Sequence, residues 1–354
     1  MTNADQSVTT STTDRQVVIP QPGQFDAETE ARLDGIDRDA TKHVEDNRPA
    51  KTRNGYAADW RAWQAFCKET SLPPLAIRTG TLVLFTEWCW IQPGYRAGLF
   101  MAPATIDRRL AGVVVTGRRQ HKLQLAVDVA EEARALLKSK VKAMEKAGEQ
   151  RGRGQAPALL VRHMERIVRI LPDDLSGIRD LSMMTMHFAI AGREHEVGWL
   201  RERHIAEDPE GRGLIVDVRI SKNYPRVVQV PYGSRAHLCP VRAWRRWREA
   251  SGIGADPDGF AYRRLHSRHH TVMEAGLDAE AVGDVITRLA DRAKLDIRPT
   301  GHSPRRGLVT ESSRAGNPDA VAEKQGGWAK GSKVMRRYRE DDDGFAENAL
   351  HGVL

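Results

Sequence analysis

Residues 148–156 read GEQRGRGQA, a run of glycine, arginine and other polar residues with nothing larger than alanine to bury. A stretch like that packs into no core, so it reads as an interdomain linker, and the chain on either side must find a core of its own. Its arginines suit either a plain solvated loop or a linker lying along a phosphate backbone. A length of 354 residues agrees with two domains and ample apolar sequence for each.

The first 48 residues form an acidic leader. Residues 1–24 are rich in Thr, Ser and Gln, lack apolar periodicity and read as a disordered tail; a polar helix follows from about Asp26 to Asp46. Residues 49–147 read as an all-helical module. Tyr56, Trp60, Trp63 and Cys67 step by four, three and four residues and so share one helix face. Pro73 and Pro74 stop that helix, and Thr79 to Cys89 reads as the next. A loop with Pro93, Gly94, Gly98 and Pro103 leads to a helix from Thr105 to about His121, with Ile106, Leu110, Val113 and Val114 as its buried stripe. A last helix is expected from Val127 to Lys146.

Residues 157–354 differ in character. Helices are expected at 158–171 and 176–190, followed by AGREHEVGWLRERHI. LIVDVRI (214–220) and RVVQV (226–230) then flank the turn SKNYP, the pattern of a β-hairpin. Pro240 opens a helix whose Trp244 and Trp247 read as core rather than as platforms for stacked bases, and another helix spans about Ala279 to Lys294. The fold class is therefore mainly α with a small antiparallel β-sheet.

Composition narrows the function. Three cysteines without a C-x-x-C pair exclude a disulfide scaffold and a cysteine-rich zinc fold, and fit a reducing cytosol. The best apolar run, Leu181 to Ala191, is broken by Thr185 and His187, so no membrane span is expected, and no signal peptide is seen. The net charge of +8 hides an asymmetry: the first 50 residues carry 5 Lys/Arg against 10 Asp/Glu, leaving a body with a net charge of +13. A body that basic suits a polyanionic partner, most simply nucleic acid; a merely Lys/Arg-rich soluble surface is the plain alternative.

Several residues could carry chemistry on a phosphate. Between residues 147 and 293 there are 22 arginines and one lysine, Lys222, at the tip of the expected hairpin. Arginine holds its proton and stabilises charge, whereas lysine can donate one when its surroundings depress its pKa; a hairpin tip is also where an ordinary exposed lysine sits. In GHSPRRG (301–307), His302 and Arg305 fall on one side of a helix starting near Ser303, with Pro304 in its first turn. Helix N-termini attract phosphate, and arginine can grip it bidentately. Further on, Trp328 lies in QGGWAKGSK, and Tyr338 follows among Arg336, Arg337 and Arg339, whose charge would favour a phenolate. His266, His269 and His270 read as a basic loop rather than a metal site.

In order, AGREHE with Arg193 and Glu196, Lys222, His302-x-x-Arg305, GGW with Trp328, and Tyr338 form a constellation that resembles the tyrosine recombinase (phage integrase) family, with its Cre-type branch closest through GHSPRRG, SRAG, GGW and VMRRY. The resemblance covers about residues 50–354. It implies an all-helical, SAM-like core-binding domain and a catalytic domain that together form a C-shaped clamp on DNA. It further implies that Tyr338 attacks a DNA phosphate to give a 3′-phosphotyrosine. Arg193 and Arg305 would hold the non-bridging oxygens, Lys222 would protonate the departing 5′-oxygen, and His302 would move the proton of the nucleophile. Trp328 would pack and hydrogen-bond to the phosphate, and Glu196 would orient the cluster. Neither metal nor ATP is implied, and the sequence holds no Walker motif. The Trp328–Tyr338 interval is ten residues where relatives usually have nine; an insertion near Gly331 could absorb the difference in a turn.

The implied partners are double-stranded DNA with inverted-repeat sites and a homotetramer on two duplexes, from protomers that are monomeric or weakly associated when free, in a bacterial cytoplasm and without a membrane. Arg53, Arg108 and Arg109 are the expected DNA contacts of the helical module. Phe345, Ala349, Leu350 and Val353 share one side of a short terminal helix that would dock on a neighbouring subunit or on its own domain. A type IB topoisomerase and a catalytically idle DNA-binding protein are the competing readings.

Overall fold

The computed structural model describes residues 25–94, 98–152, 154–221, 225–268 and 271–339. The readings made above for residues 1–24, Lys222, His269, His270 and the segment with Phe345, Ala349, Leu350 and Val353 lie outside those residues. The chain divides into two compact units between Gly154 and Gln155.

Among its described residues, the elements of the first unit are helices: α1 (Ala27–Asp46), α2 (Ala50–Glu69), α3 (Thr79–Ile91), α4 (Pro103–Arg119) and α5 (Glu131–Lys146). Helix α1 is capped by Asp26, whose carboxylate accepts from the Thr29 amide, but it buries no side chain. The core is aromatic. Trp63 meets Phe85 edge-on with ring centroids 5.2 Å apart, Phe66 packs against both, and Ile106, Leu110 and Val113 close the layer from α4. Pro74 does more than end a helix, since its carbonyl accepts the Trp63 indole N–H at 2.7 Å.

Helix α5 starts at Glu131, four residues later than its apolar pattern suggests. Val127 is almost fully exposed and Val129 and Ala130 are buried in the preceding turn, while Glu131 and Glu132 occupy the first turn, where the helix dipole favours them. One arginine of the Gly/Arg stretch is held by the helical unit. Arg151 stacks over Trp90 with its guanidinium carbon 3.7 Å from the ring centroid and donates to the Trp90 carbonyl at 2.6 Å.

The second unit follows the order α6 (Val161–Val168), α7 (Leu175–Ala189), α8 (Glu194–Gly198), β1 (Ile205–Glu207), β2 (Gly213–Val218), β3 (Arg226–Pro231), α9 (Pro240–Ser251), β4 (Arg263–Leu265), β5 (Val272–Gly276), α10 (Ala279–Arg292), α11 (Ser303–Arg314), α12 (Asp319–Gly326) and α13 (Lys333–Arg336). The expected hairpin is β2–β3, with Val216 opposite Val228, and β1 adds a third antiparallel strand. Alternation sets its face: Leu214, Val216, Val218, Val228 and Val230 are buried, while Val227 and Gln229 point outward. They pack with Met183, Met186, Trp244, Trp247 and Ile286 in one core, where the Trp247 indole donates to the Ala261 carbonyl at 2.8 Å.

Helix α6 is shorter than the expected 158–171. Residues Ala158 to Leu160 are buried in an extended lead-in whose Leu159 amide donates to the Ser303 carbonyl at 3.0 Å, seating the chain against the start of α11. Gly307 makes this approach feasible, because a β-carbon there would lie 2.1 Å from the Leu159 carbonyl oxygen. The β4–β5 hairpin was not foreseen. Among the described residues, no helix is long and apolar enough to cross a membrane.

Candidate active site

Helix α11 carries the centre of the site. Pro304 sits in its first turn and His302 at its N-cap position, so His302 and Arg305 fall one turn apart as the H-x-x-R spacing predicts. Arg305 is fully buried. One of its Nη atoms donates to the Ala191 carbonyl, while Nε and the other Nη are buried without a partner among the described residues. Unpaired buried guanidinium N–H groups are costly unless something accepts from them, and an anionic oxygen does so best.

Short helix α13 brings Tyr338 to this point. Ser332 caps it through the Met335 amide at 3.2 Å, Met335 is fully buried beside Val309, and the Tyr338 carbonyl accepts from the Thr310 hydroxyl at 3.3 Å. The phenol oxygen then lies 2.9 Å from His302 Nε2, with the two rings edge to face at 5.2 Å. Gly331 adopts φ +72, a left-handed turn that only glycine takes without strain, and Tyr338 reaches His302 across the ten-residue interval from Trp328.

Trp328 bridges the two groups. The Arg305 guanidinium carbon lies 3.6 Å from its ring centroid, and its ring meets that of Tyr338 edge-on at 5.7 Å. Two of the three arginines flanking Tyr338 in sequence are engaged elsewhere: Arg336 and Arg339 both pair with Asp319. The Arg306 guanidinium carbon lies 5.8 Å from the centroid of the phenol ring.

Arg193 enters from the start of α8. Its guanidinium holds Glu196 Oε1 at 2.6 Å and reaches Ser221 at 3.5 Å, while its amide donates to Glu196 Oε2 at 3.1 Å. Burial pushes the Glu196 carboxyl up, but the Arg226 hydrogen bond and the charges of Arg226 and Arg193 outweigh it and hold it at about 2. His302 moves the other way: burial first, then the charges of Arg305, Arg193 and Arg306, depress it to about 4, so it is neutral at neutral pH. Burial and Arg193 likewise pull Arg305 below its ordinary value. The cluster carries more positive charge than it can comfortably hold, which is what a site prepared for a dianion or a developing oxyanion would show.

No protein-family model matches the chain. An integrase/recombinase XerD homolog of Selenomonas ruminantium is 23% identical over 333 residues, covering 91% of this chain and 91% of that protein. The XerH site-specific recombinase, bound to a palindromic difH substrate after cleavage, matches with TM-score 0.57 at 13% identity, over 87% of this chain and 82% of that one. The Tn1549 transposon integrase, in complex with transposon right-end DNA, matches with TM-score 0.55 at 14% identity, over 88% and 97%. The chain resembles the tyrosine recombinases and has their fold. Its likeness to the Cre-type branch is approximate, since these relatives are Xer-type and transposon enzymes.

In this tyrosine-recombinase fold the structure gathers Arg193, Glu196, His302, Arg305, Trp328 and Tyr338, and adds two residues that the sequence reading passed over. Arg226, at the start of β3, donates to Glu196 Oε2 at 2.9 Å, to the Ile190 carbonyl at 3.1 Å and to the Gln325 carbonyl at 3.1 Å. His187, on α7, is fully buried, close enough to Arg305 to feel its charge, and depressed to about 4, chiefly by burial. The signal for Arg226 was a charged residue opening an otherwise apolar strand; His187 had none beyond interrupting an apolar run.

The expected DNA contacts of the helical unit fall into different environments. Arg53 is exposed, and one nitrogen reaches the Asp46 carbonyl at 3.5 Å. Arg108 pairs with fully buried Asp59 at 2.6 Å, and Arg109 reaches Cys89 Sγ at 3.8 Å. Burial raises the Asp59 carboxyl against the pull of both arginines.

Proposed function

We propose that this chain is a site-specific DNA recombinase that cleaves and rejoins DNA through a 3′-phosphotyrosine. The observation that carries the reading is the Tyr338 phenol 2.9 Å from a neutral His302, beside the N–H groups of Arg305 that have no partner among the described residues. An ordinary phenol is a poor nucleophile at neutral pH. A neutral imidazole can accept its proton as the oxygen attacks phosphorus. Arg305 and Arg193 take the non-bridging oxygens as charge builds, and Trp328 fixes the Arg305 plane by stacking. The P–O5′ bond breaks as Lys222 protonates the departing oxygen. Rejoining reverses these steps, and the phosphotyrosine keeps the bond energy, so no ATP is required.

Both the relative's name and the DNA-bound structural matches support recombination at defined sites over relaxation of DNA or binding alone. We place four protomers on two duplexes with inverted-repeat sites, exchanging strands through a Holliday junction in a bacterial cytoplasm, with Arg53 on the DNA backbone and the C-terminal segment docked on a neighbouring subunit. The test uses nicked duplexes with randomised sequence, from which covalently captured DNA is sequenced. Two labelled duplexes bearing the selected sequence should then yield exchanged products. Relaxation of supercoiled DNA with no selected sequence would support the topoisomerase reading instead.

A further inference from the structure

Helix α7 ends at Ala189, and its last carbonyls, like those of any helix, lack partners within the helix. The chain turns there through a Schellman arrangement: the Gly192 amide returns to the His187 carbonyl and the Ala191 amide to the Phe188 carbonyl, each at 3.0 Å. The left-handed residue of this turn is Ala191, at φ +45, where glycine is usual. An alanine held there needs surroundings that over-determine it.

Those surroundings are side chains. Four successive carbonyls each receive one: Ala189 from Gln325 at 2.7 Å, Ile190 from Arg226 at 3.1 Å, Ala191 from Arg305, and Gly192 from His187 at 3.1 Å. The next residue is Arg193. The turn therefore fixes one arginine of the site by accepting from it and another by chain continuity. Three of the donors come from β3, α11 and α12; only His187 comes from the helix that ends at the turn, and it grips Gly192 through main chain and side chain together.

We infer that His187 is a positioning residue for phosphate cleavage, locking the 189–192 turn through its Nε2–H to the Gly192 carbonyl and so setting the placement of Arg305 and Arg193. Its side-chain hydrogen bond goes to the Gly192 carbonyl, and it acts through the carbonyl strip. Its low proton affinity keeps it a neutral donor across the physiological range and spares the cluster another positive charge. The inference rests on the cleavage reading given above.

The test measures single-turnover formation of the covalent adduct on a nicked duplex, in the full-length chain. His187→Met removes the donor at similar volume; His187→Gln keeps an N–H at similar reach. The Met variant should bind DNA within about twofold of wild type but cleave about 30-fold more slowly, because displacement of a clamp by a fraction of an ångström is felt at that scale. Gln should recover to within about threefold of wild type. Combining His187→Met with Arg305→Lys should give no further loss beyond Arg305→Lys alone, whereas a merely structural defect would multiply with it. Wild-type cleavage in the Met variant, equal losses in Met and Gln, or multiplying losses would overturn the inference. If Met fails to fold, His187→Leu replaces it, and a folded Gln variant that cleaves slowly overturns the inference by itself. Failure of wild type to form any adduct would instead overturn the cleavage reading.

Discussion

Tyr338 and His302 face each other across 2.9 Å, phenol oxygen to Nε2, although 36 residues separate them in the chain. The proximity matters because the imidazole is neutral: its burial, and then its positive neighbours, make protonation unfavourable. Adding the singly charged phosphodiester of DNA to the same cluster should weigh against that balance. In the Tyr338→Phe variant, the His302 ring should titrate near 4 in free protein and shift upward when duplex DNA binds, as followed by nitrogen-15 NMR of labelled histidine. A His302 resonance that ignores DNA would place the phosphate elsewhere.

His187 gives a stability prediction of defined sign. Its folded pKa of about 4 lies below the ordinary histidine value, so the unfolded chain binds the proton more tightly. Stability is therefore complete above about pH 6.5 and falls as the pH drops towards 4, by on the order of 3 kcal/mol from this group. Denaturant melts from pH 7 to 4.5 should show a decline that His187→Gln reduces.

Glu196 sits fully buried between Arg193 and Arg226. Replacing it with alanine leaves two guanidinium groups facing each other without their shared carboxylate, and should cost about 3–5 kcal/mol of stability. Glu196→Gln should cost less and still slow cleavage about tenfold or more by loosening Arg193. Chemical denaturation and single-turnover cleavage separate the two effects.

The sequence made the cores and the centre of the site legible, and the reasons are local. GHSPRRG announces a helix start with its two functional residues one turn apart, and β2–β3 shows the alternation of a half-buried hairpin. What it hid depends on contacts distant in the chain. Asp59 lies among the aromatic stripe residues of α2 as though solvated, yet it is buried because Arg108 reaches it from α4. The arginines around Tyr338 look like its electrostatic partners, but Asp319 takes Arg336 and Arg339. Strand β5, VMEAG, has no alternation to declare it. The role of the α7 turn needs donors from three other elements, which no local pattern reports.

Arg53 and Arg108 should separate in experiment. Arg53→Ala should leave stability unchanged and lower the salt dependence of DNA binding by about one unit of slope if it meets a phosphate. Arg108→Ala should destabilise the chain by about 2 kcal/mol, less than for a fully buried pair because Arg108 is half exposed. Binding measured against salt, beside thermal melts, distinguishes the two.

The central claim is that Tyr338 becomes covalently joined to DNA. Wild type and Tyr338→Phe are incubated in parallel with randomised nicked duplexes, where loss of the short downstream fragment prevents rejoining, and adducts that survive SDS are isolated and sequenced. The account predicts adducts from wild type alone, linked at the peptide containing Tyr338 and converging on one inverted-repeat sequence, with DNA binding retained in the variant. Adducts formed equally by Tyr338→Phe, or tight binding by wild type with no adduct at all, would contradict it.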